Sequence, residues 1–145
     1  MSRLAQAALD LAAGGYKVFP VVPGGKRPMT DSGFKAATRA PRQIEALWRR
    51  WPNANIGIAC DSGIVVLDID TKAGADPRLV LAEFDRVGAP VIGTGLAPER
   101  SERHSRSLTG RRGVQVYFRG ELASTPRLKI PGCEIKGAGG YVVAP

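Results

Sequence analysis

The run Ile64-Val65-Val66-Leu67-Asp68-Ile69-Asp70 constrains this chain more than any other stretch. Four aliphatic residues followed by two acids, one apolar residue apart, make a strand that is apolar for most of its length and charged at its end. Side chains two apart on a strand leave the same face. The α-carbons of Asp68 and Asp70 then stand about 6–7 Å apart, from a rise of ~3.3 Å per residue. Two carboxylates that close share a cation, or push each other towards protonation. Read alone, the pair has two meanings: a divalent-metal site at the end of a strand, or Asp70 opening the next loop with Asp68 as a cap.

Further strand-like runs surround this one. Tyr16-Lys17-Val18-Phe19-Pro20-Val21-Val22 predicts a strand, and Pro20 puts it at a sheet edge or a bulge. Residues 55–60, 63–70, 113–118, 132–136 and 141–144 predict five more, with Gly137-Ala138-Gly139-Gly140 joining the last two. Asp61-Ser62-Gly63 predicts a tight hairpin connection between the runs on either side of it. Helical spacing appears over 3–13, with Leu4, Ala8 and Leu11 on one face and Gly14-Gly15 as the stop. It appears again over 42–51, through Ile44, Leu47, Trp48 and Trp51, with Pro41 suited to the first helical position. A third helix is predicted over 77–87, capped by Asp76, with Val80, Phe84 and Val87 on one face. Strands mixed with two or three helices point to an α+β fold, and 145 residues make one domain over 1–145. Residues 94–112 hold Arg100, Arg103, Arg106, Arg111 and Arg112 among Gly, Ser and Pro, and predict a basic flexible loop.

The formal net charge is +8. That excess suits a polyanion such as nucleic acid or a nucleotide, and also a merely soluble basic protein. No apolar run approaches the ~18 residues of a membrane span. The N-terminal residues lack a signal-peptide core, so a cytoplasmic location is expected. Cys60 and Cys133 form no CxxC pair and have no histidine near them, which makes them reduced core residues rather than zinc ligands. His104 is the only histidine. It excludes multi-histidine metal sites, and it stands in a polar loop. Trp48 and Trp51 at helical spacing read as core.

Three other places could carry chemistry. In Cys133-Glu134-Ile135-Lys136, alternation puts Glu134 and Lys136 on one face and Cys133 and Ile135 on the other. That pair is a metal ligand beside a phosphate contact, or a solvent-facing ion pair of little energetic worth. Gly110-Arg111-Arg112-Gly113 leads into Val114-Gln115-Val116-Tyr117-Phe118. Glycines let the backbone approach a phosphate, arginines clamp it, and Gln115 and Tyr117 share one face of the strand. Lys26 and Arg27, in the turn-rich Pro23–Pro28 loop, either touch a phosphate or are solvated.

Taken in order, these pieces resemble the bifunctional DNA primase/polymerase N-terminal domain, the prim-pol branch of the archaeo-eukaryotic primase superfamily. The resemblance runs through Gly15–Val21, Gly25-Lys26-Arg27-Pro28, Gly33–Thr38, Trp48–Gly57, Ser62–Asp70, Gly113–Phe118 and Gly139–Pro145, and leaves 73–112 unmatched in detail. It implies an RRM-like catalytic sheet flanked by helices, and template-directed nucleotidyl transfer with two divalent metals, magnesium or manganese. It implies that Asp68, Asp70 and Glu134 bind the metals. It puts Gln115 at the phosphates of the incoming nucleotide; a mechanism built on it has Lys136, Arg111 and Arg112 neutralise triphosphate charge beside Gln115, with Lys26 and the basic loop contacting template or nucleotide. Single-stranded DNA and nucleoside triphosphates are the implied partners, with no membrane. A continuation past Pro145 towards a helicase, as in phage or plasmid replication proteins, is also implied, so the chain is expected to be truncated at its C-terminal end.

Two residues depart from the family pattern. Glu134 stands where aspartate is usual, one methylene longer at the same charge. Gln115 stands where the family has a histidine. Its amide donates a hydrogen bond but carries no charge and passes no proton, which points to reduced or lost activity. Two rivals follow: a catalytically impaired nucleic-acid-binding module of a replication initiator or helicase, and a metal-dependent phosphodiesterase using the same acids.

Overall fold

A computed structural model describes residues 1–60, 63–70, 113–119 and 133–144, together with Asp76, Leu79, Ala82 and Ser124. The predicted 94–112 loop and most of the predicted 77–87 helix lie outside the described residues. Among the described residues the architecture is α+β: two α-helices, a short 3-10 helix over Gly33–Ala36, and two antiparallel three-stranded sheets. Two compact units divide it. One holds residues 1–62 with 140–144, the other residues 63–139.

In the first unit, α1 (Arg3–Ala13) starts where the Ser2 hydroxyl accepts the Ala5 N–H at 3.1 Å. It ends where Gly15, at φ 98°, turns the chain out of helical geometry. Its buried stripe is Ala5, Ala8 and Ala12, not the expected Leu4, Ala8 and Leu11. Short side chains line the contact and the two leucines flank it half-buried. The second helix, α2 (Pro41–Arg50), has Pro41 at its first position and buries Ile44 and Trp48. It stops one residue short of the expected end. Trp51 precedes Pro52, and the proline ring disfavours helical geometry at the residue before it. The helices pack on each other and on β1 (Lys17–Val21); α1 also reaches β2 (Asn55–Ala59).

The first sheet has the order β1-β2-β6, with β6 at Tyr141–Val143. β1 is an edge strand, as Pro20 predicted. The Val18 N–H points away from β2, to the Thr38 carbonyl at 3.0 Å. Pro20, two residues on, points its missing donor the same way, so the β1–β2 ladder loses nothing. Both faces of this sheet are buried: Phe19, Val21, Ala59 and Val143 on one, Val18, Ile56, Ile58 and Val142 on the other.

The second unit carries the second sheet, β4-β3-β5: β3 (Ile64–Asp70) in the centre, β4 (Gly113–Arg119) and β5 (Cys133–Lys136) on its flanks. The hairpin expected across 61–63 is absent. Both sides of β2 pair with β1 and β6, and both sides of β3 with β4 and β5, so β2 and β3 belong to different sheets. Cys60 and Cys133 are buried thiols outside any disulfide, as expected. Among the described residues no helix is long and apolar enough to cross a membrane.

Candidate active site

β3 alternates as its sequence demands. Val65, Leu67 and Ile69 leave one face and are buried, at 5%, 2% and 0% exposure, beside Val116 and Cys133 of the flanking strands. The other face changes character along the strand. Val66, fully buried, lies opposite both Tyr117 of β4 and Lys136 of β5. One step further, Asp68 lies opposite Gln115 on one side and Glu134 on the other.

Those two pairings make a row. Directly opposed residues of antiparallel strands hold their Cβ atoms about 4.5–5.5 Å apart on the same face. Gln115, Asp68 and Glu134 therefore stand side by side across the whole width of the sheet, although they lie far apart in the chain. All three are half-buried, one pairing along from the fully buried Val66. Asp70 continues β3 opposite Gly113; its side chain lies outside the described part.

The row carries its own electrostatics. Like charges directly opposed across two strands destabilise a sheet, and Asp68 faces Glu134. Lys136, two residues along β5 on the same face, offsets this with its ammonium 2.9 Å from Glu134 Oε1. Asp68 is also felt on the far face. Burial pushes the Cys133 thiol above its ordinary range, and the Asp68 carboxylate adds to the rise. At the Gln115 end, the Tyr117 hydroxyl donates to Gln115 Oε1 at 2.8 Å. The alternation of β4 already put Tyr117 on the face of Gln115. The hydroxyl contact had no signal beyond that spacing.

Chemically, the row offers hard oxygen donors beside an amide. Oxygen ligands of this kind suit magnesium or manganese, and a cation between Asp68 and Glu134 relieves their repulsion. Among the described residues, no three His, Cys, Asp or Glu side chains form a group that could hold a metal ion. The donor set described here is two carboxylates, with Lys136 already bringing one positive charge to Glu134.

Of the residues expected at the site, the second sheet brings together Asp68, Gln115, Glu134 and Lys136. Lys26 belongs to the first unit, where it is exposed and its carbonyl accepts the Tyr141 hydroxyl at 3.0 Å. Arg111, Arg112 and His104 lie outside the described residues. Trp48 is core, 2% exposed, with its indole N–H donating to the Ala54 carbonyl at 3.1 Å. Trp51 lies under the Arg50 guanidinium, 4.5 Å from the ring centre.

No curated protein matches the chain. The family model of the bifunctional DNA primase/polymerase N-terminal domain, Prim-Pol, matches residues 8–145. That span runs from the second turn of α1 through both sheets, so the chain belongs to the Prim-Pol family, whose type of activity is DNA primase/polymerase nucleotidyl transfer.

Proposed function

We propose that the chain extends a nucleic-acid strand on a single-stranded DNA template, with its chemistry on the polar face of the second sheet. The observation that carries this reading is the Gln115–Asp68–Glu134 row in a chain of this family. In the reaction a 3′-hydroxyl attacks the α-phosphate of a nucleoside triphosphate. A phosphorus–oxygen bond forms to the new strand, the bond to pyrophosphate breaks, and the hydroxyl proton leaves to solvent or a nearby base. Asp68 and Glu134, with Asp70, are the residues to hold magnesium or manganese. When bound, such ions supply an acidified hydroxyl and charge neutralisation on the leaving pyrophosphate. The Gln115 amide donates to a phosphate oxygen without needing a proton of its own. Lys136 exchanges Glu134 for phosphate as triphosphate arrives, and Arg111 and Arg112 add positive charge. A helicase, in the same protein or beside it, supplies the unwound strand; that part rests on the family resemblance alone.

The resemblance drawn from the sequence favours a second reading: it puts neutral Gln115 where a histidine is usual, which fits a module that binds nucleic acid without catalysis. An incorporation assay separates the two. It uses primed and unprimed single-stranded DNA with manganese or magnesium, comparing wild type with Asp68→Ala/Asp70→Ala. Incorporation that disappears in the double variant supports catalysis. DNA binding that falls steeply with salt, persists in the variant and brings no incorporation supports the binding module. Shortened DNA in place of extended DNA supports the phosphodiesterase.

A further inference from the structure

We infer that the outer face of α2, through Arg42, Arg49 and Arg50 with Arg39 just ahead of it, is where the first unit grips the phosphate backbone of single-stranded DNA. The inference deepens the template part of the reading above and concerns the first unit alone. Ile44 and Trp48 turn inward, 0% and 2% exposed. Arg42 and Arg49 lie on the opposite side of the helix, seven residues and so about 10 Å apart along its axis, and Arg50 follows about 100° round. All four arginines are exposed, and among the described residues no ion pair holds any of them. Glu45 is the one acid in the helix, and it is half-buried.

Helix stability accounts for only half of this charge. Arg49 and Arg50, in the last turn, suit the negative end of the helix dipole. Arg42 is in the first turn, which holds no acid, and there a positive charge opposes the dipole. Arg39 stands before it. A face that is positive even at the end where the helix disfavours it matches an anion from outside, and a chain of net charge +8 points to a polyanion. The face is also held at both ends. At its start, Thr38 exchanges backbone hydrogen bonds with Val18 of β1, and its hydroxyl accepts the Ala40 N–H at 3.0 Å. At its end, the Trp48 indole is tied to the Ala54 carbonyl, and the Arg50 guanidinium lies over the Trp51 ring. A guanidinium so held loses less freedom on meeting a phosphate. The same pair favours a single strand, because unstacked bases stack on guanidinium planes and indole rings and a duplex keeps its bases inside.

The test is fluorescence anisotropy of the full chain with a labelled oligo-dT strand, without metal or nucleotide, over a range of salt. Arg42→Gln/Arg49→Gln/Arg50→Gln puts good helix formers on the exposed face, so the melting temperature is expected to change little. Binding is expected to weaken about tenfold, and the slope of log Kd against log salt to fall by about 2, from ~0.7 per phosphate contact on a single strand. Arg42→Gln alone lowers the slope by about 0.7. Arg3→Gln, which removes an exposed arginine of α1, leaves it unchanged. Unchanged binding and slope in the triple variant overturn the inference. So does an Arg3→Gln loss as large as that of Arg42→Gln, which would make net charge the cause, and so does a duplex bound as tightly as the single strand. The nucleotidyl-transfer reading fails separately: wild type that binds the strand through these arginines, yet incorporates no nucleotide on a primed template with manganese, keeps this surface and loses that chemistry.

Discussion

The two sheets each contain a row of three residues across a central strand, and the rows do opposite things. In the first, Phe19, Gly57 and Val143 lie side by side, with glycine in the centre. The Phe19 ring lies over Gly57, so close that a Cβ there would stand 2.4 Å from its Cζ. The ring also meets Tyr141 edge-on at 5.2 Å. In the second, Gln115, Asp68 and Glu134 lie side by side, with a carboxylate in the centre. The backbone pattern is the same: an antiparallel centre strand paired on both sides. What differs is the central side chain. An absent one lets an aromatic ring seal an apolar layer. A charged one leaves polar groups facing each other, half-buried. The first row packs an apolar layer, and the second carries the polar groups on which the proposed chemistry rests.

If that division is right, breaking each row has a different consequence. Asp68→Ala is expected to lower nucleotide incorporation by about three orders of magnitude, the scale of losing a central electrostatic group, while the melting temperature holds. An activity within about tenfold of wild type would move the chemistry away from this row. Gly57→Ala is expected to do the reverse. Overpacking against the fully buried Phe19 ring costs about 3 kcal/mol, or roughly 10 °C in melting temperature for a chain of this size. Adding Phe19→Leu should recover part of that loss, because the pair is coupled through one contact. A Gly57→Ala protein that melts like wild type would mean the ring has room to move aside.

Much of each row's local chemistry could be read from the sequence, and its assembly could not. Alternation alone assigned Asp68 to the end of an apolar strand, Glu134 and Lys136 to one face, and Gln115 with Tyr117 to another. Pro20 at a sheet edge and Pro41 opening a helix followed from the missing N–H of proline. The joining of Asp68 to Gln115 and Glu134 is a matter of register between distant strands, and no local period encodes register. Family resemblance supplied that grouping before the pairing did. Gly63, at φ 76°, is a true turn signal that misled as a hairpin. A turn says that the chain changes direction, not which strand it will pair with next. In α1 the leucines carried the hydrophobic pattern, yet the alanines took the buried line, because periodicity weighs apolarity rather than closeness of approach.

Gln115→His sharpens the second row without touching the first. It adds a group able to carry positive charge beside Asp68, so a charge-assisted bond to phosphate replaces a neutral one, roughly doubling its strength. Incorporation should rise by about tenfold, and more below pH 7 than above, since an unperturbed histidine charges near pH 6.5. Melting should not change. A flat response would mean that the amide already does all the phosphate contact requires.

Lys136→Met gives the smallest effect and tests how the second row tolerates its own charge. The ion pair with Glu134 has both side chains about a third exposed, 32% and 33%, where such pairs contribute ~0–1 kcal/mol. Removing the ammonium takes from Glu134 its ion partner while it still faces Asp68, so a loss of about 0.5 kcal/mol is expected, and a shrinking one as salt rises. The same removal frees Glu134 from a competing cation. Manganese binding in the absence of nucleotide should therefore tighten by about threefold, an order of magnitude set by the modest worth of the pair. Nucleotide binding should weaken in the same variant, because Lys136 is then missing from the phosphates. Opposite signs for the two ligands would mean that one lysine serves the row twice, closing it while it is empty and neutralising substrate when it is full. Equal signs would mean that the ion pair is only a feature of the surface.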